Sequence, residues 1–138
     1  MDIGCGSGKS TSTLIDMGYE VSGTDISREA VSICTDRFGS GMFLEGSVLS
    51  LPYPDSSFDY AVAVHVLEHI TDVDMHRAVS EIRRILKPGG YLFIRDFAPG
   101  DMREGSRADS DIVYIHRSPE DILAFFDGFS AVSCETVE

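Results

Sequence analysis

The 138-residue chain has the length of one domain, enough to bury roughly two-thirds of its unfolded surface. Its formal net charge of -12 excludes non-specific nucleic-acid binding, which needs a positive field. Cys5, Cys34 and Cys134 are odd in number, far apart and without a Cys-x-x-Cys pair, which excludes a zinc site and a disulfide scaffold, and the absence of a leader or an apolar run near 18 residues points to a cytoplasmic protein with reduced thiols and no membrane association.

The chain opens on Asp2-Ile3-Gly4-Cys5-Gly6-Ser7-Gly8, glycines at alternating positions behind an acidic residue. Such a turn lets a ligand touch backbone, because no Cβ intervenes and positive φ is allowed. A helix is predicted over 9–17, closed by Gly18, then a strand over 19–24 ending at Asp25. Ser27 caps a helix carrying Ala30, Val31, Ile33 and Cys34. A short strand follows over 42–45, and prolines make 50–55 a loop. The run Tyr60-Ala61-Val62-Ala63-Val64, inside a strand over 58–66, is expected to be buried on both faces. A helix over 73–86 carries Ala78, Val79, Ile82, Ile85 and Leu86 on one stripe. Arg83, Arg84 and Lys87 read as its solvated basic end. Pro88-Gly89-Gly90 breaks that helix ahead of a strand over 91–94.

Residues 97–117 form the longest irregular segment, the kind that is usually functional or mobile. Ser118-Pro119-Glu120-Asp121 starts a helix running to about 127, and 129–137 reads as a last strand. Phe125, Phe126 and Phe129 are core by pattern. Strands alternating with helices are the signature of parallel βαβ units.

Asp25 stands seventeen residues past Gly8, at the end of the second strand. An acidic side chain there can accept both hydroxyls of a ribose, which together with the glycine turn predicts a nucleoside-bearing ligand. Two relatives of this pattern fit less well. A phosphate-binding loop ending in Gly8-Lys9-Ser10 needs glycine where Ile3 stands, and a dinucleotide turn needs its third glycine one residue later than Gly8. A glycine turn serving only tight packing leaves Asp25 unexplained.

Five blocks carry a resemblance. They are Asp2 to Gly8; Gly23-Thr24-Asp25-Ile26-Ser27; Leu51-Pro52-Tyr53-Pro54-Asp55-Ser56-Ser57-Phe58-Asp59; Val66-Leu67-Glu68-His69; and Ile85-Leu86-Lys87-Pro88-Gly89-Gly90-Tyr91-Leu92. In that order and at those separations the chain resembles class I S-adenosylmethionine-dependent methyltransferases, most of all the small-molecule branch with the ubiquinone and sterol enzymes. The resemblance implies an α/β fold, a three-layer Rossmann-like sandwich with a mostly parallel central sheet, with S-adenosylmethionine as cofactor and a small-molecule methyl acceptor.

It also implies roles. Gly4, Cys5, Gly6 and Gly8 would run beneath the methionine part of the cofactor, with Asp2 holding that turn. Asp25 would take the ribose hydroxyls, Ile26 would flank adenine, and Val48 would offer its backbone N–H to the ring. Ser47 stands where many relatives carry an aspartate, so the adenine amino group would meet a neutral acceptor, which binds less strongly. His65 would face the cofactor's amino-acid end. His65, His69 and Asp96 are the candidates for proton transfer or acceptor contact, with no one of them singled out. His69 reads first as ordering its turn, His116 as a solvated loop residue and His76 as surface. His65 and His69 straddle a strand end and a turn rather than sharing a helix, so no catalytic metal is expected.

Against the family pattern, the first strand has only Met1 ahead of Asp2, and the family's last antiparallel strand should follow Val137. First and last strands are therefore expected to be incomplete, and an exposed sheet edge would favour a homodimer. The rival function is a non-catalytic or partner-dependent cofactor-binding module.

Overall fold

The structure is a computed structural model that describes residues 1–40, 42–101, 105–106 and 112–136. Its main sheet has five parallel strands. β1 (Asp2–Ile3) lies in the middle, between β2 (Gly23–Asp25) and β4 (Phe58–Val64). β3 (Phe43–Glu45) flanks β2, and β5 (Leu86–Arg95) flanks β4. α1 (Lys9–Asp16), α2 (Arg28–Phe38) and α3 (Asp72–Ile85) make the crossovers, while β3 reaches β4 through a loop. The order β3-β2-β1-β4-β5 is doubly wound: the chain leaves β1 toward one edge and returns to build the other. The carboxyl ends of β1 and β4 therefore diverge and open a crevice at the switch point. This is the expected three-layer Rossmann-like sandwich.

α3 forms where the sequence places Met75, Ala78, Val79, Ile82 and Ile85 on one stripe, and all five are buried. They pack with Ile3, Ala61, Ala63, Leu67 and Phe126 into the larger core. Across the sheet a smaller core joins Cys5, Cys34 and Phe43 to Val31 and Phe38. α4 (Pro119–Phe125) packs on α3, and its capping box is complete: Ser118 Oγ accepts from Asp121 N while Asp121 Oδ2 accepts from Ser118 N.

Several sequence expectations are corrected. β2 starts at Gly23, not at residue 19, because its partners reach only Gly23–Asp25. α3 ends at Ile85, ahead of the Pro-Gly-Gly break. Leu86 turns extended to pair with Phe58, and a register shift between Phe58 and Tyr60 absorbs the glycines. No strand forms over 129–136, since neither sheet offers it a partner among the described residues, and Val137 lies outside them. Within 97–117 a two-stranded antiparallel ladder, β6 (Gly105–Ser106) with β7 (Val113–Tyr114), gives order that the polar composition hid.

β4 is not buried on both faces. Ala61 and Ala63 are, but Tyr60 is 51% exposed. α2 covers β2 and β3, and among the described residues no helix covers the matching face of β4 and β5. Tyr60 there stacks on Tyr91 at 5.9 Å and meets Tyr19 edge-on at 5.7 Å, beside an exposed Phe93.

Arg84 is a clamp rather than a solvated helix end. Its guanidinium donates to Leu51 O, Tyr53 O and Asp55 Oδ1, and to both oxygens of Glu81. Glu81 also accepts from Leu51 N at 2.7 Å, so the Pro-Tyr-Pro loop hangs from one ion pair. The Arg84 hydrogen bond holds the Glu81 carboxyl below its usual range. Arg84→Met keeps the aliphatic stem but leaves these acceptors unpaired. It is expected to cost about 2–3 kcal/mol in urea unfolding. A loss near zero would show that the prolines alone hold the loop.

Candidate functional site

The crevice is built from the glycine turn upward. Asp2 is buried, and its carboxylate accepts from Thr11 Oγ at 2.6 Å, tying β1 to the first turn of α1. Burial raises the Asp2 pKa, and the Thr11 hydrogen bond opposes that rise. Gly4 N and Cys5 N both donate to Thr24 O, so the turn is stitched to β2. Cys5 points down, its Sγ 3.7 Å from that of Cys34, and burial pushes both thiols up and out of reactive range. Gly8 caps α1 at φ 86°, and a Cβ built there would stand 2.5 Å from the Phe38 ring. Gly6 is the opposite case. Its φ is +50° and nothing lies within 4 Å of a Cβ position, so the turn presents bare backbone to open space.

Asp25 ties the walls together. Its Oδ2 accepts from Gly6 N and its Oδ1 from Ser27 N, both at 2.9 Å. Ser27 Oγ in turn accepts from Ala30 N and caps α2. The cleft above, about 310 Å³, is of small-molecule size. Gly4, Asp25, Ile26, Ser47, Val48 and His65 all line it, with Ile3, Thr24, Gly46, Val66, His69 and Ile70. Asp2, Cys5, Gly6 and Gly8 shape its floor without lining it. Ile26 is 76% exposed, an apolar side chain held over the rim. Ser47 Oγ accepts from Leu49 N at 3.1 Å, closing its own small turn. The residues present fit a nucleoside: bare backbone at Gly6, a fixed carboxylate at Asp25 and an apolar edge at Ile26.

At the other end β4 gives way to His65, held in left-handed backbone at φ 56° by His65 N donating to Arg95 O. The short 3₁₀ turn Leu67–His69 then brings up Glu68, which is 1% exposed. Its Oε2 accepts from Phe97 N at 3.1 Å and lies 3.5 Å from His65 Nδ1; its Oε1 lies 3.6 Å from His69 Nε2. Glu68 is not among the site residues expected from the motifs. The available signal was a carboxylate just past a strand end, with histidines three residues before and one after.

Asp96 does not line the cleft. It sits past β5 beside Glu68, with Oδ1 buried and unpartnered among the described residues. Burial first, and Glu68 second, push its carboxyl from 3.8 up to about 6. Because the folded-state value is the higher one, the charged form costs stability above pH 6, and the cost fades as pH falls toward 3.8. Asp96→Asn is expected to raise the melting temperature at pH 7.5, with the gain gone by about pH 4. A gain that persists there would exclude charge burial as its cause. The chain spacing of His65 and His69 also could not show that His65, Glu68 and Asp96 bring donor atoms within 4.8 Å of one another. Two of these groups already hold backbone N–H, from Phe97 and Val66.

His116 is likewise corrected. It is buried, with neither ring nitrogen hydrogen-bonded among the described residues, because its segment folds under Phe97 and Tyr114 instead of into solvent. Next to it Arg117 donates to Leu67 O, Ile70 O and Asp72, anchoring that segment to the turn below the cleft.

A doubly wound α/β sheet with a glycine turn after its central strand and an acidic residue closing the second strand is a domain of Rossmann-like class. Residues 1–94 match the family model described as "Methyltransferase domain", and the chain belongs to that family. The O-methyltransferase cnsE of Penicillium expansum is 35% identical over 103 residues, covering 70% of this chain and 37% of its own. The 27-O-demethylrifamycin SV methyltransferase of Amycolatopsis mediterranei is 32% identical over 120 residues, covering 82% of this chain and 43% of its own. The chain thus spans less than half the length of these curated relatives. A crystal structure of an S-adenosylmethionine-dependent methyltransferase from Methanosarcina mazei superposes with a TM-score of 0.78 at 26% identity, over 90% of this chain and 74% of that one. No helix among the described residues is long and apolar enough to cross a membrane.

Proposed function

We propose that the protein binds S-adenosylmethionine in this cleft and directs methyl transfer to a small-molecule acceptor. The observation that carries the reading is Asp25, whose carboxylate is fixed by the glycine turn and by the start of α2 at the cleft wall. A carboxylate so placed accepts ribose hydroxyls, Ile26 covers the base, and Ser47 with Val48 reaches its edge. His65 lies toward the amino-acid end. The bound cofactor supplies an electrophilic methyl group, so the chain's work is to orient the acceptor and receive any proton it loses. The net charge of -12 suits a neutral or cationic small molecule and disfavours nucleic acid. Buried, reduced Cys5 and Cys34 suit a cytoplasmic setting.

Calorimetric titration with S-adenosylhomocysteine tests the reading. One site per chain with micromolar affinity is expected; a folded chain that binds none would sink it. The open aromatic face of Tyr60, Tyr91 and Phe93 favours a second reading, a module that acts with a covering partner or a second copy. A monomer by light scattering at high concentration, with methyl transfer intact, would reject that alternative.

A further inference from the structure

Two thiols lie beneath the glycine turn, and no step above uses them. Cys5 stands between Gly4 and Gly6, and Cys34 is the buried residue of α2 that packs against it. Their sulfurs are 3.7 Å apart, and Cys34 Sγ also donates to Gly6 O at 3.3 Å. The pair joins two walls of the cleft. Gly4 lines the cleft, Gly6 N donates to the Asp25 carboxylate, and α2 begins at the Ser27 cap, whose backbone N–H donates to the same carboxylate. From 3.7 Å the sulfurs need to approach by about 1.7 Å to reach disulfide length. Positive φ at the glycines on both sides of Cys5 marks backbone that can swing without a Cβ in its way.

We infer that Cys5 and Cys34 are a redox modification site: a peroxide joins them in a reversible disulfide when the cleft is empty, and that bond closes the cleft to its cofactor. The second half rests on the cofactor reading above. While the turn is seated, burial keeps both thiols protonated and inert. Oxidation therefore requires the turn to lift off α2, which breaks the contact of Cys34 with Gly6 O and admits water and peroxide. A ligand lying across Gly4 and Asp25 holds the turn down, so occupancy of the cleft protects the pair. In the lifted turn, Cys34 gives its proton to solvent and its thiolate attacks one peroxide oxygen. The O–O bond breaks, hydroxide leaves with the electron pair, and a sulfenic acid remains. The Cys5 sulfur then attacks that of Cys34, the S–O bond breaks, and the departing oxygen takes the Cys5 proton as water. Two thiols thus lose two electrons to one peroxide, giving one disulfide and two waters. The new bond draws Cys5 toward α2. That motion pulls Gly4 N and Cys5 N from Thr24 O, and Gly6 N from Asp25. The carboxylate at the cleft wall then loses the backbone donor that orients it.

The test treats the full chain with hydrogen peroxide and maps its peptides by mass spectrometry. Cys134→Ser is used throughout, because Cys134 is exposed and would consume oxidant. A peptide pair linked through Cys5 and Cys34 is expected, about 2 Da lighter than the two thiol peptides, and dithiothreitol should restore both thiols. S-adenosylhomocysteine at about 100 times its dissociation constant should slow the linkage roughly 100-fold, the factor by which it depletes the empty chain. The linked chain should bind S-adenosylhomocysteine at least tenfold more weakly by calorimetry, with recovery on reduction. Cys34→Ala in the same background should keep its affinity through peroxide treatment, which assigns the loss to the linkage rather than to oxidised methionines. Peroxide that leaves both thiols free, or carries them to sulfinic acid without linkage, would overturn the proposal. So would linkage at one rate in the free and bound chain, or a linked chain of unchanged affinity. A reduced chain that binds no S-adenosylhomocysteine would remove the cofactor reading and the control of the cleft together, and the mapped linkage would still decide whether the thiols pair.

Discussion

Gly8→Ala is expected to destabilise the protein by about 2–5 kcal/mol, measured as the urea midpoint at unchanged slope. Two separable costs add. The residue sits at φ 86°, where a non-glycine side chain costs about 1–2 kcal/mol. The new Cβ would also stand 2.5 Å from Phe38 Cε2 and 3.2 Å from Cys34 Sγ, and overpacking of this kind costs about 1–3 kcal/mol. Phe38 can yield only by leaving its contact with Phe43, at 5.9 Å. Adding Phe38→Leu to Gly8→Ala should therefore recover the steric part and leave the backbone part. A loss below about 1 kcal/mol for the single variant would mean that α2 gives way easily, and that Gly8 is not what sets the spacing between turn and helix.

Asp25→Ala is expected to raise the S-adenosylhomocysteine dissociation constant at least tenfold, about 1.4 kcal/mol. The carboxylate has two jobs. It accepts from Gly6 N and Ser27 N, which keeps the glycine turn and the start of α2 at a fixed separation. It also faces the cleft, where remaining lone pairs are open to hydroxyl donors. Asp25→Asn divides these jobs: its one oxygen can serve either backbone partner, while the amide nitrogen cannot accept. Calorimetry that shows Ala and Asn variants equally weakened, with both melting near wild type, would place the loss in ribose recognition. Unchanged affinity in both would sink the ribose assignment.

The glycine turn, Asp25, the Ser27 cap and the Ser118 start of α4 were legible because each is local chemistry: a side chain meets backbone a few residues away, or a turn needs a missing Cβ. The parallel βαβ units were legible from alternation, and the three-layer order from the family resemblance. What stayed hidden depends on distant pairings. Arg84 reads as a basic helix end until the fold brings the backbone of residues 51–55 within 3 Å of it. His116 reads as a solvated loop residue until Phe97 and Tyr114 cover it. Residues 129–136 have a strand's composition, but composition cannot supply an edge to pair with. Glu68 was hidden for a different reason. A single acidic residue in a turn carries no periodicity, and only the fold shows that one carboxylate faces two histidines.

The placing of β1 bears on how the molecule assembles. The ladders of this central strand join Asp2 to Gly23 and, roughly sixty residues on, to Val62. None of the five main strands meets its neighbour through a hairpin, so no two-strand unit can nucleate early and template the rest. The contacts within α3 are local, but Ile3 gains its burial only when Ala61 and Ala63 arrive. Refolding should therefore run on the slow side for a domain of this size, in milliseconds to seconds. In that order of events β1 stays half-paired with β2 until β4, much later in the chain, closes its other side.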